Sequence, residues 1–351
     1  MPALPPETRW RLALATGAFA IAYVLSASRI GHGAPDFYVF WTAAQHWQAP
    51  YDPAIVAQLL AGLHLKGVWP FAYPPSFLVI VWPFAQLPLG LAYPLWAGLE
   101  SALFIFAASH IVKPVWATAA LALAPIVFFS AELGQTSLIV GAAVIGGWLL
   151  RDRRPALAGA LFGLAACIKP QAMILAPIVL WGRWRMLAFM AATGAALVLA
   201  SLGFGWRRWL EWPQALAAFR ALVPLTDRIN PSALVAAPQS LSLVWTVLVG
   251  SFGVLLAAKS RDLVGLIAGA LCLTPYAHAY DLAPLAPLAA AWLIDPRRHG
   301  FGRAAVGGAL LAGLVSTPLA ALAFVVALAA VHPDWNLRRT RAPLQPAAAA
   351  P

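Results

Sequence analysis

Residues 186–205 read MLAFMAATGAALVLASLGFG, twenty residues without a charge. Arg183 and Arg185 precede them, and Trp206, Arg207 and Arg208 follow. A helix rises about 1.5 Å per residue, so about twenty such residues cross the hydrocarbon layer of a bilayer. Backbone N–H and C=O groups in lipid must bond to each other, which makes a helix the spanning form. A transmembrane barrel would show alternating segments of about ten residues, and none is apparent.

Comparable runs fill the chain. Spans are expected at 10–29, 90–111, 114–131, 134–150, 155–168, 170–182, 186–205, 240–258, 262–276 and 280–294. The stretch 303–331 is either one tilted span or a tight hairpin. Residues 74–88 are apolar but broken by Pro74, Pro75, Pro83 and Pro88, and read as a short interfacial or re-entrant helix. Hydrophobic residues make up 62% of the 351 and charged ones 10%, against about 25% charged in a soluble domain. The 16 Trp cluster near the ends of the runs, as half-apolar, half-wet side chains do at an interface. The expectation is an all-α membrane protein with about ten to twelve transmembrane helices. A single polytopic domain spans 1–335, and a disordered cytoplasmic tail follows at 336–351. Residues 10–28 follow Arg9 and Arg11 like a secretory signal, but the length of the run and the spans behind it mark an uncleaved first span.

The net charge of +11 lies in short loops between runs, which is a topology signal and not a nucleic-acid footprint. Threading the chain through the spans places sixteen of the 23 Lys and Arg on the side of the N-terminus. The other seven are Arg29, Lys66, Lys169, Arg207, Arg208, Arg220 and Arg228. The basic excess makes the N-terminal side cytoplasmic. It also favours the interfacial reading of 74–88, because a full span there would move the Arg151–Arg154 cluster outside. The hairpin form of 303–331 would keep the basic tail inside. Cys167 and Cys272 fall within apolar runs and read as small buried hydrophobes.

Two loops then face the extracytoplasmic side, 30–89 with its interfacial helices and 206–239. Shorter turns on that side hold Glu132 with Gln135, Lys169 with Pro170 and Gln171, and His278 with Asp281. Polar groups near lipid are expensive to hold, so their gathering on one face suggests a site. Asp36 opens an aromatic stretch in which Phe37, Phe40, Trp41, Ala44 and Trp47 share a helical face. It is either a helix N-cap or a base with a free oxygen. Asp52, in the turn Ala49-Pro50-Tyr51-Asp52-Pro53, reads as a cap. Lys169 either snorkels to the interface or is aimed into a cleft by the helix break at Pro170. Arg207 and Arg208 among tryptophans anchor to headgroups or bind an anion. Glu132 and Gln135 serve such a site or pack helix ends, and His278 is structural or part of the site. No spacing resembles a metal motif, and no cofactor is implied.

The block from Asp36 through Ala43-Ala44 to Pro50-Tyr51-Asp52-Pro53 resembles glycosyltransferase family 87. So do Tyr73-Pro74-Pro75, Gly134-Gln135, Ala158-Gly159 with Lys169-Pro170, Gln239-Ser240-Leu241 and the turn from Pro275 to Asp281. The resemblance implies a GT-C-like bundle in a bacterial-type inner membrane. It implies transfer of a hexose, mannose in the best-known case, from a polyprenyl-phosphate donor to a glycolipid or glycan acceptor. Asp36 would be the general base. Lys169, Arg207, Arg208 and His278 would bind the donor phosphate. Tyr73, Glu132, Gln135, Gln239 and Asp281 would bind sugar or acceptor. A glycine-rich nucleotide loop is missing, which fits a lipid-linked donor better than a sugar nucleotide.

Two other readings stand beside this one. A transporter or flippase would explain the proline-broken helices, though it favours polar groups at mid-bilayer and repeats. A non-catalytic scaffold would leave Asp36 dispensable. The topology itself is testable: single cysteines at His64→Cys and Asp152→Cys should react with an impermeant maleimide from opposite faces of sealed vesicles. Labelling of both from one face would overturn the map.

Overall fold

The computed structural model describes residues 4–30, 36–64, 70–222, 239–274 and 277–295, with the backbone alone at 239–242. The expectations for 303–331, the tail 336–351, loop residues 223–238 and Pro275 lie outside the described residues.

Helix α1 (Pro6–Arg29) is followed by the short helices α2 (Asp36–Gln45), α3 (Pro53–Gly62) and α4 (Pro75–Ala85). Next come α5 (Leu89–Ala108), α6 (Val115–Ala122), α7 (Pro125–Leu133), α8 (Ser137–Leu150) and α9 (Pro155–Ile168). A 3-10 turn at Pro170–Met173 and a single turn, α10 (Ala176–Val179), lead to α11 (Trp184–Ser201) and α12 (Arg207–Leu222). The chain continues with α13 (Gln239–Ser260), α14 (Leu263–Leu273), a 3-10 run at Ala279–Leu285 and α15 (Ala286–Ile294). No strand occurs among the described residues, and the chain is an all-α membrane protein. Pro6, Pro53, Pro75, Pro125 and Pro155 each open a helix, where a missing N–H costs nothing.

Among the described residues, four helices are long and apolar enough to cross a membrane: Pro6–Arg29, Leu89–Ala108, Trp184–Phe204 and Leu243–Ser260. The remaining apolar runs fold as shorter pieces, so they do not all form the straight spans expected from the sequence. The run 114–131 is two helices, α6 and α7, bent by 46°. Pro125 is the cause, because it forces Ala124 into extended geometry with φ −62° and ψ 132°. The run 170–182 breaks into a 3-10 turn and α10 under Pro170 and Pro177. In 280–294 a regular helix begins only at Ala286, after Pro284. Helix α4 is short, as its prolines suggested.

Helix α5 is the most enclosed of the four long helices and packs against α1, α7 and α8, with Trp96, Phe104 and Ile105 fully covered. Lipid supplies no hydrophobic drive between helices, so close packing through small residues matters more. Gly159 and Gly163 give α9 such a face toward α11. A Cβ on Gly159 would lie 2.3 Å from the Met186 carbonyl oxygen, and one on Gly163 would lie 2.6 Å from that of Met190.

The short helices gather at one end of the bundle. Helix α2 is enclosed on almost every side, not buried along one stripe: Tyr38 and Val39 are covered as well as Phe37 and Phe40. The reason is that α3, α4 and α5 all pack on it. Trp41 Nε1 and Gln45 Nε2 donate to the carbonyls of Leu87 and Ala85, at 3.0 Å each, and fasten α2 to the end of α4. Asp52 caps α3 as expected, accepting from the Ala54 N–H at 2.9 Å. Trp212 of α12 donates to the Ala72 carbonyl at 3.0 Å, so the second loop region is tied to the first.

Replacing Gly163 with leucine must push α9 off α11. Overpacking of this kind costs about 1–3 kcal/mol. Gly163→Leu should therefore lower the melting temperature in detergent, whereas Gly17→Ala, which meets open space, should not. Equal melting temperatures for the two variants would be incompatible with this packing.

Candidate active site

A cavity of about 370 Å³ opens at the end of the bundle where the short helices gather. Asp36, Tyr73, Gln135, Lys169, His278 and Asp281 line it, and Trp212, Leu216 and Phe219 of α12 form an apolar flank. These residues come from segments far apart in sequence. One turn, 134–137, holds their polar groups together.

That turn is built by local constraint. Helix α7 ends on Gly134 in left-handed geometry, φ 61° and ψ 36°, where a side chain is strained. A Cβ there would also lie 2.7 Å from the Phe37 Cβ. Helix α5 pins the turn from below: Trp96 Nε1 donates to the Gly134 carbonyl at 3.0 Å and the Tyr93 hydroxyl donates to that of Glu132. Phe37 packs on both rings, with centroids 5.9 and 5.6 Å away. The same contact sets the start of α2 against the turn.

The next three residues distribute the site. Gln135 Nε2 donates to Asp36 Oδ2. The Tyr73 hydroxyl donates to Gln135 Oε1 at 3.1 Å and lies 2.9 Å from Thr136 Oγ1. Ser137 Oγ donates to Asp281 Oδ1 at 3.1 Å and accepts from Lys169 Nζ at 3.3 Å. Lys169 and Asp281 form an ion pair of 2.5 Å, and Lys169 Nζ also sits 5.3 Å from the centre of the Tyr280 ring. Pro170 ends α9 and leaves Lys169 with φ −131°, off the helical path. That break brings the ammonium into the cavity, one of the two placements the sequence left open. The His278 N–H donates to Asp281 Oδ2 at 3.0 Å, and its ring packs on Tyr280.

Asp36 is not a cap in this structure. Among the described residues its carboxylate bonds to a side chain and to no backbone N–H of α2. Burial pushes its carboxyl up to about 6, against the Gln135 hydrogen bond and the Lys169 charge, which pull it down; Asp281 adds a smaller upward push. The group is therefore ionised above that pH and close enough to neutrality to hold a proton, which suits a general base.

Three other expected residues stand elsewhere. The Glu132 carboxylate pairs with Arg29 at 2.7 Å and does not line the cavity. Arg208 pairs with Glu211 at 2.5 Å, and Arg207 is exposed over the Trp206 ring. Neither arginine lines the cavity, because α12 turns Trp212, Leu216 and Phe219 toward it instead. The side chain of Gln239 lies outside the described residues. Thr136, Ser137, Tyr280 and Trp212 belong to the site and were not singled out from the sequence. Tyr280 sits between two residues that were, and that proximity was its one signal. Among the described residues, no three His, Cys, Asp or Glu are grouped to hold a metal ion.

The family model of glycosyltransferase family 87 matches residues 71–317, more than two thirds of the chain. The match contains Tyr73, Gln135, Lys169, His278 and Asp281 and begins after Asp36. No curated protein and no solved structure matches the chain. With a membrane-type helical fold, a polar cavity at one end and this match, the chain belongs to glycosyltransferase family 87 and is a membrane glycosyltransferase.

Proposed function

We propose that the protein transfers a hexose, mannose being the first candidate, from a polyprenyl-phosphate donor to a glycolipid or glycan acceptor, with inversion at the anomeric carbon. The observation that carries this proposal is the cavity shared by Asp36 and Lys169, a carboxylate near neutrality and a cation with apolar walls around them. Asp36 takes the proton of the acceptor hydroxyl as its oxygen forms a bond to the anomeric carbon. The bond from that carbon to the phosphate oxygen breaks, and the phosphate leaves as an anion. A leaving phosphate needs its charge neutralised and not a proton. Lys169 supplies that charge in a water-poor setting, where such a contact is strong. Attack by a base-activated nucleophile from the face opposite the leaving group inverts the centre.

The lysine is held by Asp281 in this state, so an arriving phosphate must share or displace that carboxylate. His278 and Tyr280 border the same space and serve the phosphate side. Arg207 and Arg208 are left out of that role here by their own contacts.

Orientation follows the charge bias. Helix α8 starts at the cavity with Ser137 and ends beside Arg151, and α9 returns from Arg154 to Lys169. The basic cluster thus lies at the end away from the cavity. Basic loops favour the cytoplasm, which supports an extracytoplasmic position for the cavity.

Purified protein, given radiolabelled polyprenyl-phosphate mannose and a membrane extract as acceptor source, should move label into the extract. Asp36→Asn keeps the size and one acceptor oxygen for Gln135 but cannot take the proton. It should lower the rate by about 10²–10⁴-fold, the usual contribution of a general base, at an unchanged melting temperature. Wild-type rates from Asp36→Asn would remove Asp36 as the base. No transfer by the wild-type protein would reject this donor.

A further inference from the structure

Tyr73 sits beside the site without a chemical task in the transfer just described. Its backbone is stiffened by Pro74 and Pro75, and its carbonyl accepts from the Tyr51 hydroxyl at 3.0 Å. Its ring is wedged between Phe40 and Phe77, with centroids 4.9 and 4.7 Å away. The hydroxyl is thereby fixed in place, and it meets the oxygen end of the Gln135 amide.

A primary amide has a donor end and an acceptor end, and it can turn over. Gln135 Oε1 faces two donors, the Tyr73 hydroxyl at 3.1 Å and the Thr136 N–H at 3.3 Å. Those donors select one orientation, in which the NH2 group points at Asp36. Turned over, the amide oxygen would face a carboxylate oxygen and repel it. Thr136 Oγ1 completes the chain: its hydroxyl can donate to Tyr73, which donates to Gln135, which donates to Asp36.

We propose, on the base assignment given above, that Tyr73 is a positioning residue that acts through Gln135. It locks the amide so that Asp36 Oδ2 is occupied and Oδ1 is presented to the acceptor hydroxyl. Asp36 is then oriented by a partner that does not touch it. The Gln135 bond also favours the ionised carboxylate. Losing it leaves burial less opposed, so the carboxyl rises further. The other titratable groups around Asp36 in the cavity are Lys169, His278, Tyr280 and Asp281, and Tyr73→Phe changes none of them.

The test compares Tyr73→Phe, Gln135→Leu and the double variant in the polyprenyl-phosphate mannose assay, with Asp36→Asn as control. Tyr73→Phe should lower kcat about tenfold, in line with the cost of a misaligned catalytic group, and leave the donor KM unchanged. Its acid limb should move to higher pH than that of the wild type. The double variant should be no slower than Gln135→Leu alone, because Tyr73 has no other route to the reaction. Multiplied losses in the double variant, or an unmoved acid limb in Tyr73→Phe, would overturn the positioning role on an enzyme still dependent on Asp36. Wild-type rates from Asp36→Asn would instead overturn the base assignment, and this inference with it.

Discussion

The hydrogen bond from Gln135 to Asp36 is the contact on which the site depends. A carboxylate in an apolar wall must be held by donors or it gives up its charge. Here the donor is delivered by a turn that sequence and packing leave little freedom. Gly134 permits the left-handed step, Phe37 closes over it, and Tyr93 and Trp96 grip the carbonyls on either side. The two residues that follow Gln135 then reach Tyr73, Asp281 and Lys169. One short turn therefore sets the distance between the Asp36 carboxylate and the Lys169 ammonium, which separate helices carry.

The two carboxylates of the cavity live in different surroundings. Asp281 has a lysine at 2.5 Å, a serine hydroxyl and a backbone N–H. Among the described residues Asp36 accepts one hydrogen bond, from the Gln135 amide, and burial raises its carboxyl. Separating two like groups in this way lets one remain a fixed charge while the other exchanges a proton near neutrality. The Lys169–Asp281 pair also keeps the cation from being buried alone before substrate arrives. On the proposed chemistry, the donor phosphate takes over part of what Asp281 does in the empty cavity.

Much of the fold was legible because lipid imposes a simple rule. Runs such as 155–168 and 186–205 had to be helical, and both are, with Pro155 and Lys169-Pro170 marking the limits of α9. The proline breaks at 74–88 and at Lys169-Pro170 were legible, but those at Pro125 and Pro177 were not. The bend between α6 and α7, and the shortness of α10, depend on how neighbouring helices accept a freed backbone. Within the site, Asp36, Lys169 and Gln135 stood out as polar groups at the ends of apolar runs. Which of the candidates would meet did not show. Lys169 meets Asp281 across 112 positions and Gln135 meets Asp36 across 99, separations that no local pattern encodes. Arg207 and Arg208 misled for the opposite reason: a strong local pattern among tryptophans was satisfied locally, by Glu211 and Trp206. Ser137 opens α8, and no sequence pattern set it apart.

On the proposed mechanism, a single base on the side of the acceptor fixes the stereochemistry of transfer. The direct measurement is the anomeric configuration of the newly formed linkage, read by NMR from the one-bond carbon–proton coupling at C1 of a labelled sugar, against that of the donor. The account predicts the opposite configuration in the product. A retained configuration would require a covalent or front-face route, and would contradict Asp36 acting as a base on the attacking hydroxyl.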